Sequence, residues 1–286
     1  MNHLSLTPLK LLLSSLKNGT ALIVVLVLLA LLAPWIEPFP YDLQNVDESL
    51  KPASLSHWFG TDSLGRDLFS RVLRGLQMSI CIGFVSAFMS MTLGACVGVV
   101  SGWFGGTLDR VILQLLDTIQ TLPSLLIAIL LTVYVGKGTL GILLAIAFSS
   151  WVPLARVARY QTLLESTRPY VESASCLGAS DTRILFNHVI PGCIGTWLVT
   201  LSYTIPSAIL SESFLAFLGL GIQPPYSSLG SLAAEGFRSM RYYPHLTLFP
   251  AASLFLVLMG FYYFSEHIKS IQQSSLSQQK LSHFES

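Results

Sequence analysis

The chain has 286 residues, 52% of them hydrophobic and only 11% charged, with a formal net charge of +1. A soluble domain carries roughly a quarter charged residues, so this composition excludes an ordinary soluble fold. The near-zero net charge gives no argument for nucleic acid or any other strongly charged partner.

The apolar residues fall in long runs that read as helices crossing a bilayer. Residues 1–20 form a short, weakly basic tail through Lys10 and Lys17. An uncharged run over 21–36 follows. It reads as a retained first span, because no convincing A-x-A cleavage site stands in a run where Pro34 follows Ala33. The flanking lysines favour a cytoplasmic N-terminus. Residues 37–75 then make a long polar loop, extracytoplasmic in this topology, with Pro38, Pro40 and Pro52 opposing regular structure. The loop closes on HWFGTDSLGRDLFSRVLRGLQMSI. Within it, residues 68–76 have helical period, with Arg71 and Arg74 on one side and Phe69, Val72 and Leu73 towards the other. That pattern predicts an amphipathic helix at the membrane surface leading into the next span. Asp62, Arg66 and Asp67 are read either as local ion pairs between turn glycines or as substrate contacts.

No charge occurs over 78–101, and Gly94, Gly98 and Gly102 recur four apart. Small residues at that spacing let two membrane helices approach closely, so this is a helix-packing face. Gly105 and Gly106 reverse the chain. A third span over 111–135 carries Asp117 and Pro123. An ionised Asp at a helix centre costs about 2.5–3.5 kcal/mol on insertion scales. Asp117 is therefore read either as a pathway acid or as a residue reaching the interface. Gly136-Lys137-Gly138 is the next turn. The phosphate-loop pattern G-x-x-x-x-G-K-[ST] is absent, which predicts no ATP binding by that route.

A fourth span covers 140–155, with Pro153 placed to kink its end. Arg156, Arg159, Arg168 and Arg183 make the following loop basic, as expected of a cytoplasmic loop. Lys51, Arg66, Arg71, Arg74, Arg238 and Arg241 fall on the opposite side, although long loops weigh little in this rule. That loop, residues 165–191, reads ESTRPYVESASCLGASDTRILFNHVIP. Pro169 suits a first helical position and Gly178 a left-handed stop. Ser180 is expected to cap a second helix through its hydroxyl, with Asp181 at the positive end. Two short helices about a glycine turn make a compact knob for docking another protein. A fifth span over 194–218 contains Pro206 and Glu212, and Glu212 is read as either a pathway acid or a packing acid. Residues 232–240 predict a short outer helix, and a sixth span covers 246–264. Residues 266–286 form a polar tail expected to fray. The four cysteines show no metal or redox spacing and read as small side chains, so no metal site is expected. The six histidines lie outside the span centres and form no cluster.

Three of these motifs carry a resemblance. Glu172-Ser173-Ala174, then Gly178 and finally Pro191, resembles the EAA loop of ABC-importer permeases. GTDSLGRDLFSR resembles the segment preceding the second helix in the peptide and nickel branch. SESFLAFLGLGIQPP resembles that branch's stretch at the outer end of the fifth helix. The chain is similar to the second, C-type permease subunit of dipeptide and oligopeptide importers. It departs from the branch at Ser173, where Ala is usual, and at SEHIKS, which replaces a Gly-Asp-x-Leu-Arg-Asp run.

The resemblance implies an all-α membrane protein with the type I ABC-importer transmembrane fold, six spans and both termini cytoplasmic. Residues 76–265 would be the permease core. It further implies a multi-pass protein of the bacterial inner membrane, with a second homologous permease, two ATP-binding subunits and an extracytoplasmic substrate-binding protein as partners. In this scheme Glu172, Ser173, Ala174, Gly178 and Pro191 transmit force from the ATPases, which alone bind ATP. The chain itself would hold no cofactor and would not be an enzyme. The cargo implied is di- or oligopeptides, with nickel or antimicrobial peptides as the alternative. A membrane scaffold without a transport path is the reading from another class, and acids inside the spans argue against it.

Overall fold

The computed structural model describes the backbone of residues 7–136 and 138–284 and the side chains of 19–136 and 138–274. His3, Lys10, Lys17, Lys137 and His283 lie outside the described side chains. Apart from one bridge between Thr61 and Asp67, regular structure among the described residues is helical. The elements are α1 (Thr7–Ile36), α2 (Leu68–Phe104), α3 (Gly106–Gln120), α4 (Ser124–Val135), α5 (Thr139–Ser166), α6 (Pro169–Cys176), α7 (Asp181–Ile184), α8 (Ile190–Leu215), α9 (Leu229–Phe237) and α10 (His245–Phe284). Two π turns, Leu185–Val189 and Ala216–Leu220, flank α8.

Five stretches are long and apolar enough to cross a membrane: Gly19–Ile36, α2, α5, Asp181–Leu220 and His245–Ser274. The sixth crossing is a bent pair. Instead of one straight span over 111–135, α3 and α4 meet at 83° across a break at residues 121–123. Pro123 has no N–H to continue the helix, and its ring disfavours helical geometry at Leu122.

Contacts give the direction of each pass. Leu229 of α9 donates its backbone N–H to Ser79 Oγ near the start of α2 at 3.0 Å, while Gly102 near its end touches Thr162 of α5. Ser90 donates to the Ala147 carbonyl at 3.0 Å, so α2 and α5 run parallel. Glu37, just past α1, pairs with Arg74 at the start of α2. Gln272 near the end of the described part of α10 donates to Thr196 at the start of α8. The passes thus alternate so that α6 and α7 share one end of the bundle with the starts of α1 and α8 and the end of α10. Residues 37–67 and α9 form a cap at the other.

Gly94, Gly98 and Gly102 face α5 at backbone contact. A methyl on Gly98 would lie 2.3 Å from the Ala155 carbonyl oxygen, and on Gly102 2.7 Å from that of Arg159. Around this seam, Ile82, Ala128, Ile142, Ile146 and Leu215 form one apolar cluster. Ile23, Leu26, Val72, Leu76, Ile209 and Val257 join α1, α2, α8 and α10 in another. Large apolar side chains such as Leu28, Phe88, Val133, Leu210 and Phe255 remain exposed on the outer faces, the pattern of a helix bundle solvated by lipid.

Four further expectations change. Residues 68–76 are not a separate interfacial helix but the first turns of α2. They are buried on nearly all sides because the cap and α9 cover them: Leu68, Ser70, Arg71, Val72, Leu73, Gly75 and Leu76 are all buried. The helix of the fourth span, expected over 140–155, runs further, since α5 continues through Pro153 to Ser166. The outer helix starts three residues earlier than expected, at Leu229, because Ser228 forms a reciprocal capping box with Ser231. The stretch after the sixth span, expected as a frayed tail, continues α10 as helix, with Glu266 accepting from the Tyr203 hydroxyl at 2.6 Å.

Candidate coupling hairpin and membrane groove

Residues 165–191 build a hairpin at one end of the bundle. Pro169 stands at the first position of α6, where its missing N–H costs nothing. Gly178 has φ +81 and ends the turn after α6. The Ser180 hydroxyl does not cap α7; it lies 3.4 Å from Thr182 Oγ1 and makes no cap bond. Only four residues are α-helical before the backbone widens into the π turn that leads to Pro191.

The hairpin rests on the bundle through Val171, Ile184, Val189 and Cys193, against which Ala174 and Trp103 pack. Glu172, Ser173, Gly178, Asp181 and Pro191 are exposed. Leu177 and Phe186 also point outward, 89% and 65% exposed. A polar anchor adds to the apolar seat. Tyr170 donates its hydroxyl to Glu165 Oε2 at 2.7 Å, and Glu165 is buried at the end of α5. Burial, and the bond to this carboxylate, push the Tyr170 phenol up to about 12. Beside the hairpin a cleft of about 720 Å³ opens between Trp103, Thr167, Glu172, Ser175 and Asp181.

The two acids singled out in the spans have different surroundings. Asp117 lies on α3 with its side chain 65% exposed and pairs with Arg156 of α5. Glu212 is fully buried near the end of α8. One carboxylate oxygen accepts from Ser228 Oγ, the cap of α9, at 2.6 Å, and the other has no partner among the described residues. Glu212 therefore fastens α8 to the cap.

In the cap, Asp62 accepts from Arg66 Nε at 2.7 Å and from Arg71 at 2.6 Å, and Arg71 also reaches Glu235 of α9 at 3.0 Å. Asp67 caps α2 by accepting from the Ser70 N–H, and its other oxygen meets His57 Nδ1 at 2.8 Å. Asp62, Arg66 and Asp67 thus form a buried structural lock, Asp62 on Arg66 and Arg71, and Asp67 on His57 and Ser70.

Halfway between these ends, α4, α5 and α8 enclose a groove of about 330 Å³ beside Pro153. Hydroxyls line it: Ser124, Ser149, Ser150, Thr200, Tyr203, Thr204 and Ser207. Neither Asp117 nor Glu212 reaches it.

Residues 94–269, well over half the chain, match the family of binding-protein-dependent transport system inner membrane components. The chain belongs to that family. It is a permease subunit of an ABC importer, a multi-pass protein of the inner membrane. Residues 19–53 of the permease match the N-terminal transmembrane domain of oligopeptide transport permease C. The permease is 39% identical to the oligopeptide transport system permease protein OppC of Bacillus subtilis over 85% of its own length and 80% of the relative's. It is 36% identical to the glutathione transport system permease protein GsiD of Escherichia coli over 84% and 79%. Its fold resembles the inward-facing MetNI methionine ABC transporter with a TM-score of 0.58 at 15% identity, covering 70% of this chain and 95% of that one. An amino acid ABC transporter gives a TM-score of 0.55 at 16% identity, with 72% and 94% covered. A permease of this kind works with an ATPase and a substrate-binding protein.

Two polar contacts of the permease escaped the sequence reading. Arg159 forks onto Asp109, which also accepts from Ser101 at 2.5 Å, so α3 is tied to α2 and α5. Tyr203 is tied across to Glu266 of α10. Both partners lie far apart in sequence, and no spacing rule brings them together. The groove hydroxyls did leave a trace: serines and threonines gathered near Pro153, which was read only as a kink, and near Pro206, which was noted only as lying inside the fifth span.

Proposed function

We propose that this permease carries di- or oligopeptides, pairing with a second homologous permease to enclose the path. Two ATP-binding subunits would seat the α6–α7 hairpin in the cytoplasm, on the side that also holds both termini. An extracytoplasmic binding protein would deliver cargo to the cap. ATP would bind the partners only, and the permease would carry out no covalent chemistry. The observation that supports the cargo best is that relatives covering about four-fifths of their own lengths are named for oligopeptide and for glutathione transport, and glutathione is itself a peptide. The mechanism follows from alternating access. ATP-driven closure moves the hairpin, and the bundle tilts with it, so the ligand is released where the favoured state opens.

The hairpin has the makings of a docking element. It presents Leu177, Phe186 and Glu172 outward while Val171 and Ile184 hold it to the bundle, and Gly178 sets its angle. Co-purification from native membranes tests the assembly, and uptake of labelled peptide by the reconstituted complex tests the cargo. A second permease, two ATPases and ATP-dependent peptide uptake are the expected results. Isolation of the chain alone under mild detergent, or an assembled complex inert towards peptides, would overturn the reading.

A further inference from the structure

We infer that the groove between α4, α5 and α8 is a subsite that holds the main chain of a peptide through neutral hydrogen bonds, without reading side-chain charge. This rests on the peptide reading above and gives it a place and a chemistry. The groove lies against two helices that carry interior prolines, Pro153 in α5 and Pro206 in α8. A proline withholds the N–H that the carbonyl one turn earlier would accept, so Pro153 leaves the Ser149 carbonyl without its helical donor. Ser149 and Pro153 both line the groove.

The hydroxyls divide into two sets. In the first, Thr200, Thr204 and Ser149 bond back to their own helices and Tyr203 donates to Glu266 of α10. Ser124, Ser150 and Ser207 make no side-chain hydrogen bond with any described residue. They come from three different helices and converge on one cavity. An unsatisfied hydroxyl at membrane depth is costly against hydrocarbon, so such a trio belongs on a wet or ligand-filled surface. None of the groove residues is charged at neutral pH. Hydroxyls donate and accept, and the released carbonyl accepts. That matches the alternating N–H and C=O groups every peptide presents, whatever its side chains. The size of about 330 Å³ lies at the lower end of small-ligand pockets, as expected where one subunit supplies only part of the wall.

The test uses the whole importer in proteoliposomes, with the binding protein loaded with trialanine, Ala-Glu-Ala, Ala-Lys-Ala or trialanine methylated on its central amide nitrogen. Ser150→Ala/Ser207→Ala should slow uptake of the three unmethylated peptides by a common factor of about ten, from two lost hydrogen bonds. The same variant should lose the wild-type preference for trialanine over its N-methyl form. Assembly and binding-protein-stimulated ATP hydrolysis should persist. Unchanged uptake in the variant, beside active wild type, would overturn the subsite and leave the peptide reading standing. A slowdown confined to one charge class would overturn main-chain recognition. Loss of the second permease on purification would reassign the groove to a subunit contact. A wild-type importer that moves none of the four peptides would remove the cargo reading and the subsite together.

Discussion

At one end of the bundle Asp62 sits between Arg66 and Arg71, with each side chain less than a tenth exposed. At the other, α6 and α7 rest on four buried apolar side chains and one tyrosine–carboxylate bond. The cap is built around Asp62, whose removal would leave two buried arginines with only the half-exposed Glu235, because desolvated charges find no water to replace a lost partner. The hairpin is built the opposite way. It has few attachments and mostly exposed polar residues, so it can shift as a unit without opening the core. In the function proposed above, the cap would serve as a fixed frame and the hairpin as a movable lever.

The sharpest way to break the comparison is to remove one charge from each end. Asp62→Ala leaves the buried Arg66 and Arg71 with only the half-exposed Glu235 as a carboxylate partner and should cost about 3 kcal/mol. Glu172→Ala, on the exposed face of α6, should change stability by no more than about 0.5 kcal/mol. Thermal unfolding of the two variants in mild detergent measures both. Equal shifts would mean that the cap is no more tightly locked than the hairpin.

The seam between α2 and α5 belongs with the fixed frame. Gly98→Val would push a branched side chain into the Ala155 carbonyl and the Ala158 methyl, at a cost of about 1–3 kcal/mol. A variant unfolding like wild type would show that α2 and α5 separate easily and that the frame is softer than its packing implies.

Gly178 probes the lever. Its φ of +81 is costly for any residue with a side chain, and Gly178→Ala should cost about 1–2 kcal/mol locally, because nothing else crowds the position. Gly178→Pro cannot adopt this angle at all and should abolish stimulated ATP hydrolysis while the chain still inserts and the bundle keeps its unfolding temperature. Wild-type coupling in the proline variant would remove the docking role from the hairpin.

What the sequence made legible follows the range of each interaction. Long apolar runs marked the spans, and spacing of four placed Gly94, Gly98 and Gly102 on one face. Pro169 and Gly178 punctuated the hairpin because their effects are local to the backbone. Pro123 was visible too, but an 83° break and a gentle kink leave the same letter in the sequence. Residues 68–76 misled for a different reason. Their amphipathic period is real, yet Arg71 faces Asp62 and Glu235 rather than lipid headgroups, and Glu235 is 164 positions away. The Ser180 cap failed because a preferred residue type does not guarantee the bond when the helix that follows is only one turn long.

The smallest expected effect is at the anchor of the lever. The neutral Tyr170 phenol donates to Glu165, and burial together with that carboxylate raises its pKa from the ordinary value near 10 to about 12. The sign follows: the bond contributes fully below pH 10 and is lost as the pH rises through about 12, where tyrosinate has no proton to donate. Tyr170 is 44% exposed, so Tyr170→Phe should cost at most about 1 kcal/mol. Subtracting the tyrosinate absorbance of Tyr170→Phe from that of wild type isolates this one group. A titration centred near 10 would show the phenol free in water and the hairpin held by its apolar seat alone. A midpoint near 12 would place the anchor closed at neutral pH, so that Glu165 at the end of α5 ties α6 to the span as the proposed lever requires.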